Sequence, residues 1–507
     1  MVKISTIDIV IIVAYLIIVA LIGSFSGGRQ RSTKDYFMGG KNVPWWAVSF
    51  SIVAAETSSL TFISIPGLAY LTNLNFLQLT IGYLIARILV ALFFLPAYRR
   101  GELATAYTFL ENRFGSTTRR YASTVFLFTR VAADGVRLFS TAIPLALIFK
   151  SSAYFVHWSN GQIYVVSIIV ITLISLIYTY TGGVKGVIWA DVLQMFIYIG
   201  GAILALIILL NGLPSSSTWQ SITDKTGIFN LDFNNSLSEF FRAPYTLIGS
   251  ILGGIFLSMA SHGTDQLIVQ RLLTTKSVKD SQKAIIGSGI MVIFQFALFL
   301  IVGLLLYLFF NGISITDTAA PFHKADEIFP FFIIHYLPLG VKGIIIAGLF
   351  AAAMSTLAGS ISALSSSAML DLYLPYLAVQ ENSQRDLKIS RLLTIIWAVV
   401  LTLVAFIFIQ VQQSVVEIAL GIASITYGGL LGTFMLGLFF KRIEQPAAIA
   451  GFTSGIFIML LIILIPKLSG TNPWVHWTWF VAIGSAVCII VGNLWQKIFI
   501  KNQFVKD

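Results

Sequence analysis

The sequence predicts an all-α polytopic membrane protein with about thirteen transmembrane helices. Three observations carry this reading. Of 507 residues, 57% are hydrophobic and only 10% charged, with mean hydropathy +0.88, values of polytopic helical proteins. Apolar runs of roughly twenty residues, the length of one bilayer crossing, recur from end to end. Lys and Arg then concentrate in alternate connections, as cytoplasmic loops require. A soluble reading would need several large cores and leaves the runs unexplained.

Taken in order, the runs are approximately 7–24, 45–70, 78–98, 121–149, 164–180, 189–210, 246–273, 284–310, 341–370, 392–409, 415–440, 447–465 and 474–495. The first has no obvious small-residue cleavage site and no basic start beyond Lys3, so it reads as a retained helix rather than a signal peptide. Alternate connections hold Arg29 to Lys41, Arg99 to Arg120, Lys185, Arg271 to Lys283, Arg385 to Arg391, Lys441 with Arg442, and the tail with Lys497, Lys501 and Lys506. The other side has only Lys3, Lys150, Lys225, Arg242, Lys324, Lys342 and Lys467. This bias puts the N-terminus outside and the C-terminus in the cytoplasm and requires an odd number of spans; the expected location is a cell membrane, a bacterial inner or plasma membrane. The formal charge of +11 follows from it; no compact basic face points to nucleic acid. The polar outer connections, 211–244 and 311–338, are too short for separate domains. Cys488, the single cysteine, excludes a disulfide framework and a cysteine metal cluster.

The second run carries polar groups at mid-depth in "SIVAAETSSLTFISIPGLAY", with Glu56, Thr57, Ser58, Ser59 and Thr61. A helix interrupted there frees carbonyls that only protein, water or an ion can satisfy, and such breaks are where transporters bind substrates and ions. A second interruption, "SMASHGTDQLIVQR", lies five spans later and enters from the opposite side. The pair suggests two five-helix repeats of inverted topology. A kink or a packed polar patch is the alternative for each break. In "FTRVAADGVRLF", Arg130, Asp134 and Arg137 share one helix face and call for a further acid, for which Glu56 is the candidate. These groups read equally as a structural ion network or as substrate contacts. Arg87 either neutralises an acid or faces an inner vestibule, and Asp191 is either an interfacial acid or part of an ion pathway. Ser355, Gly359, Ser362 and Ser366 form a small, hydroxyl-bearing stripe suited to close packing or, beside a broken helix, to sodium. The five histidines are scattered, without HExxH, GxSxG or a phosphate loop, so an enzyme is not expected.

The segments "KDYFMGGKNVPWWAVSFSIVAAETSSLTFISIPG", "GGVKGVIWADVLQ", "DQLIVQRLLTTKS" and "AGLFAAAMSTLAGSISALSS" resemble, in order along nearly the whole chain, the sodium/solute symporter family, which includes bacterial sodium/galactose and sodium/sialic acid transporters. The resemblance implies the five-plus-five inverted repeat of the leucine-transporter type, with one helix before it and two after. The division is then an extra helix and loop (1–44), a first repeat (45–211), an outer loop (212–244), a second repeat (245–440) and two C-terminal helices with a tail (441–507). It further implies a sodium site from the carbonyls of Ala54, Thr57 and Ala352 and the hydroxyls of Ser355 and Thr356. A second sodium site of some members would need hydroxyls at Ala358 and Gly359 beside Asp191; both are missing, which leaves Asp191 to gating or ion passage.

Substrate contacts implied in the same way are Ser58, Ser59, Thr61, Phe76, Gln78, Thr80, Arg130, Asp265 and Tyr427, with Glu56, Arg87, Asp134 and Arg137 as a charge network. Arg130 matches the arginine that holds a carboxylate in sialic acid transporters, but a pair with Glu56 would consume its charge. The expectation is therefore sodium-coupled symport of a small polar solute, a sugar or polyol favoured, with one sodium per cycle and a monomer sufficient in the bilayer. A carboxylate such as a sialic acid or an amino acid is the alternative, as is a proton-coupled or sodium-independent transporter or sensor on the same fold.

Overall fold

The computed structural model describes residues 4–100, 103–150, 154–155, 157–214, 219–231, 236–318, 320–377, 383–409 and 415–500; Lys3, Lys501 and Lys506 lie outside them. The regular secondary structure of these residues is helix throughout, without strands. The helices are α1 (Thr6–Ser26), α2 (Thr33–Met38), α3 (Trp45–Glu56), α4 (Ser59–Leu71), α5 (Leu77–Leu89) leading through a π turn into α6 (Leu95–Arg100), α7 (Ala106–Phe114), α8 (Ser116–Lys150), α9 (Asn160–Asn211) and α10 (Leu237–Arg242). There follow α11 (Leu247–Gly263), α12 (Gln266–Leu273), α13 (Val278–Phe309), α14 (Ala325–Tyr336), α15 (Val341–Ser367) leading through a second π turn into α16 (Leu374–Leu377), α17 (Ser383–Phe408), α18 (Val415–Phe439), α19 (Gln445–Ser469) and α20 (Phe480–Trp495).

Among the described residues ten helices are long and apolar enough to cross a membrane, or twelve with the bent pairs α3/α4 and α11/α12 counted as one span each. The expected spans 164–180 and 189–210 are one unit, α9, of 52 residues. At about 1.5 Å per residue it greatly exceeds a hydrocarbon core of about 30 Å. It is interrupted at Gly183, whose φ of 57° and ψ of −161° suit only glycine. A Cβ there would sit 2.6 Å from the Tyr36 carbonyl oxygen, so the close approach of α2 also demands it.

The two bends have the same local cause. Hydroxyl and carboxylate side chains compete with the helix for backbone donors, so they stop one helix and cap the next. Thr57 is extended (φ −83°, ψ 109°), and the Ser58 hydroxyl accepts from Thr61 N–H, giving a 64° bend. Asp265 is extended (φ −82°, ψ 126°), and its carboxylate accepts from Leu267 N–H, giving a 60° bend. The span beginning with α15 is 94% buried, against 22% for α17, so α15 is a central post and α17 a lipid-facing one. The post packs against α9, α8, α3, α1 and α12, which sets the first break and the α8 charges around it.

Candidate functional site

A helix leaves its last carbonyls without intrahelical donors. In α3 these belong to Val53, Ala54, Ala55 and Glu56. Both the Thr57 N–H and the Thr57 hydroxyl return to Val53 O, at 3.0 and 2.8 Å. Gln295 donates to Thr57 Oγ1 at 2.7 Å and accepts from Tyr198 at 3.1 Å, which holds the extended residue in place. Across from it, Thr356 Oγ1 lies 3.2 Å from Ala352 O and 3.4 Å from Ala55 O, so it bridges α15 to the open end of α3. Ser355, one residue earlier, donates to Asp191 Oδ1 at 2.6 Å and keeps its own lone pairs. Ala54, Thr57, Ala352, Ser355 and Thr356 are all buried. The break and the post thus assemble carbonyl and hydroxyl oxygens, neutral hard ligands suited to an alkali cation.

Asp191 is fully buried. It accepts from Ser51 at 2.5 Å, from Ser355, and from Arg271 Nη2 at 3.0 Å, while Arg271 Nε donates to Ser51 at 2.8 Å. Gly359 makes room for this guanidinium: a Cβ there would lie 2.6 Å from Arg271 Nη2. Along the same stripe Ser362 donates to Gln270 at 3.3 Å and Gln266 donates to Ser366 at 3.2 Å. The stripe is therefore the seam between α15 and α12.

The α8 cations meet an acid other than the one expected. Glu56 ends α3 beside α5 and pairs with buried Arg87, with His262 Nε2 at 3.5 Å; Arg87 Nη1 also donates to Ser288 at 2.9 Å. The bend between α11 and α12 instead delivers Asp265 to α8, where Oδ2 accepts from Arg130 Nη2 at 2.6 Å and Nε at 3.1 Å. Tyr427 accepts from Arg130 at 3.1 Å and donates to the same Oδ2 at 2.7 Å. Asp265 Oδ1 meanwhile caps α12 through Leu267 N–H at 2.9 Å. Asp134 accepts from Arg130 Nη1 at 3.3 Å and from Ser360 at 2.5 Å, with Arg137 Nη1 at 3.6 Å. Removing one partner from such a buried set costs about 3–5 kcal/mol.

A cavity of about 10 Å³ lies against the first break, lined by Ser58, Asp134, Arg137, Thr141 and Thr356 with apolar neighbours. That is room for about one water. Of the sequence-proposed contacts, Ser58 lines it; Thr61 lies beside Ser58 at 3.2 Å, and Ser59 donates to Thr141 at 2.6 Å. Arg130, Asp265 and Tyr427 join it only through Asp134. Phe76, Gln78 and Thr80 form a separate group. The Phe76 ring packs on Tyr245 and Phe296, with centroids 5.5 and 5.1 Å away. Gln78 donates to Asn75 O and Tyr245 O, both at 3.0 Å, and accepts from Asn230 N–H at 3.1 Å, while Thr80 bonds its own helix at Leu77 O, 2.7 Å. His476 packs beside Tyr245, with ring centroids 5.6 Å apart, and extends this aromatic cluster. Sequence reasoning missed Thr141, Gln295 and Ser360. For Thr141 a signal existed: it follows Arg137 by four and Asp134 by seven, on their helix face.

A family model described as the sodium:solute symporter family matches residues 36–455. The sodium/sialic acid symporter SiaT of Proteus mirabilis (strain HI4320) is 28% identical over 497 residues, 96% of this chain and 94% of that protein. The sodium/glucose cotransporter of Vibrio parahaemolyticus is 26% identical, over 91% of this chain and 86% of its own. Among solved structures, the substrate-bound outward-open state of a Na+-coupled sialic acid symporter matches with a TM-score of 0.85 and 27% identity, over 98% of this chain and 99% of that one. A nucleobase-cation-symport-1 family transporter in a closed conformation, 11% identical, shares the fold at a TM-score of 0.58 over 92% of this chain and 96% of its own.

Proposed function

Because this chain belongs to the sodium:solute symporter family, a family of sodium-coupled solute symporters, we propose that its solute is a small hydroxylated organic anion of the sialic acid type, carried with one sodium ion per cycle. The observation that carries this reading is the cavity at the first break, where the hydroxyls of Ser58, Thr141 and Thr356 stand beside the guanidinium of Arg137. A sugar or polyol, which the hydroxyls alone favour, leaves that cation unused. Similarity to sialic acid symporters supports the anion over the sugar.

Sodium is cargo, held by the carbonyls of Ala54, Thr57 and Ala352 and the hydroxyls of Ser355 and Thr356. These ligands come from two elements, the broken α3/α4 and the post α15, so the ion favours arrangements in which the two stay together. Such differential affinity is what lets one bound ligand bias a conformational equilibrium. With Arg271 against Asp191 at the Gly359 niche, a cation is already built in there, in keeping with one sodium per cycle. Admission of a solute requires the helices around the cavity to part.

The topology proposed with this function has thirteen crossings, counting each bent pair once and dividing α9 at Gly183. Two inverted repeats, 45–211 and 245–440, each open with a broken helix; the N-terminus is outside, the C-terminus cytoplasmic, and one chain suffices for transport. The test is uptake by purified protein in liposomes under an inward sodium gradient, with labelled N-acetylneuraminate and glucose. Accumulation of the acid only, abolished when potassium replaces sodium, is expected. Accumulation of glucose instead, or uptake of the acid equal in potassium, would overturn the reading.

A further inference from the structure

The two arginines on the inner face of α8 are not equivalent. All three nitrogens of the Arg130 guanidinium are engaged by protein: Nε and Nη2 by Asp265, Nη1 by Asp134, and Nη2 also by Tyr427. Its side chain is 7% exposed. A solute carboxylate could take its place beside Arg130 only by displacing Asp265, whose other oxygen caps α12 and which would be left buried and unpaired.

Arg137, two helical turns further on, differs in each respect. Its side chain is 30% exposed, its one ion pair among the described residues is to Asp134 at 3.6 Å, and it lines the cavity together with Ser58, Thr141 and Thr356. Asp134 is itself shared with Arg130 and with Ser360 at 2.5 Å, so it compensates Arg137 only in part. A guanidinium fork with open N–H groups on a hydroxyl-lined cavity is a bidentate carboxylate site.

We infer that Arg137, not Arg130, takes the carboxylate of the transported anion, and that Arg130 is a positioning residue clamping Asp265 and Tyr427 onto α8. This rests on the proposal that the solute is an anion. Charge accounting agrees with it. The four groups Arg130, Arg137, Asp134 and Asp265 sum to zero, and a bound carboxylate adds one negative charge to a poorly screened interior. Thr356 lines the same cavity and belongs to the proposed sodium site, so the ion restores neutrality from the adjacent wall. Sodium and anion then each improve the other's binding, reciprocally, as coupled ligands must.

The test compares N-acetylneuraminate with its uncharged methyl ester in sodium-driven uptake and in thermal-shift binding. For Arg137→Gln, KM for the acid rises at least about tenfold while affinity for the ester stays within about twofold. Arg137→Lys recovers part of the loss, because a point charge replaces the fork. Stabilisation of Arg137→Gln by sodium alone, equal to that of the parent protein, shows that the variant is folded. Arg130→Gln, by contrast, lowers thermal stability and affects acid and ester alike. A KM for the acid unchanged in Arg137→Gln, with an acid-selective loss in Arg130→Gln, overturns the assignment while leaving the anion reading intact. Failure of the parent protein to take up any carboxylate, with glucose accumulated, removes the anion reading and this assignment with it.

Discussion

The breaks at Thr57–Ser58 and Thr264–Asp265 bend their helices almost equally, by 64° and 60°, yet they are finished in opposite ways. At the second, protein groups take up the polar atoms at the bend itself. Tyr98 donates to Gly263 O, the Thr264 hydroxyl bonds Ala260 O at 2.8 Å, and both oxygens of Asp265 are taken, by Leu267 N–H on one side and by Arg130 with Tyr427 on the other. At the first, Thr57 is fixed by its side chain, whereas the end of α3 and the Ser58 hydroxyl face the α15 post and a cavity. A polar interruption in a membrane helix thus does not mark a binding site by itself. The marker is the hydrogen-bonding capacity that the fold leaves over, since buried polar groups are otherwise satisfied. The second break is therefore expected to hold the fold, and the first to hold ligands.

The largest effect that sharpens this contrast is Asp265→Ala. It leaves Arg130 buried with Asp134 as its remaining acid and α12 without its cap, a loss of about 3–5 kcal/mol for the pair with about 1 kcal/mol more for the cap. The expected outcome is a strongly reduced melting temperature and poor recovery from the membrane. Normal stability with abolished solute binding would instead make the second break a ligand site. Next is Thr356→Ala, which removes a proposed sodium ligand but only a weakly held bridge, its bonds being 3.2 and 3.4 Å. Sodium affinity should fall about tenfold, equivalent to about 1.4 kcal/mol, at nearly unchanged stability in potassium. Sodium-dependent stabilisation across a concentration series measures both; an unchanged sodium midpoint would remove Thr356 from the site.

Much of this contrast was legible in the sequence, and the limit has a physical cause. Both interruptions lie within the polar stretches read there, 56–61 and 261–266, because helix stopping is decided by local competition for backbone donors. The pairing of charges was not legible. Arg130 and Asp265 are 135 residues apart, and which acid reaches α8 depends on the direction in which the bends throw α3 and α12. Sequence spacing therefore offered Glu56, which the fold gives to Arg87. Gly359 shows the same limit. In sequence it is a missing hydroxyl, and in the fold it is the space that admits Arg271 to Asp191. The division of α9 at Gly183 was visible as a polar connection with Lys185, but not the helical geometry that continues on both sides of one strained glycine.

The smallest predicted effect is the most discriminating, because it separates a structural bond from a functional one at nearly equal depth in the protein. Tyr98 is fully buried and its hydroxyl satisfies the Gly263 carbonyl at the end of α11. In Tyr98→Phe the ring remains packed against Phe94, Phe109 and Phe434, so the change is confined to one hydrogen bond. The net value of such a bond is about 1 kcal/mol, rising toward about 3 kcal/mol if the carbonyl finds no other donor. A melting temperature lowered by a few degrees, with sodium midpoint and solute KM both within about twofold of the parent, is the expected result. The reasoning is directional: loosening the closed break should not alter ligands that bind at the other one. A shift in sodium or solute affinity larger than the shift in stability would show that the second break moves during transport, and the division between a fold-holding and a ligand-holding break would then fail.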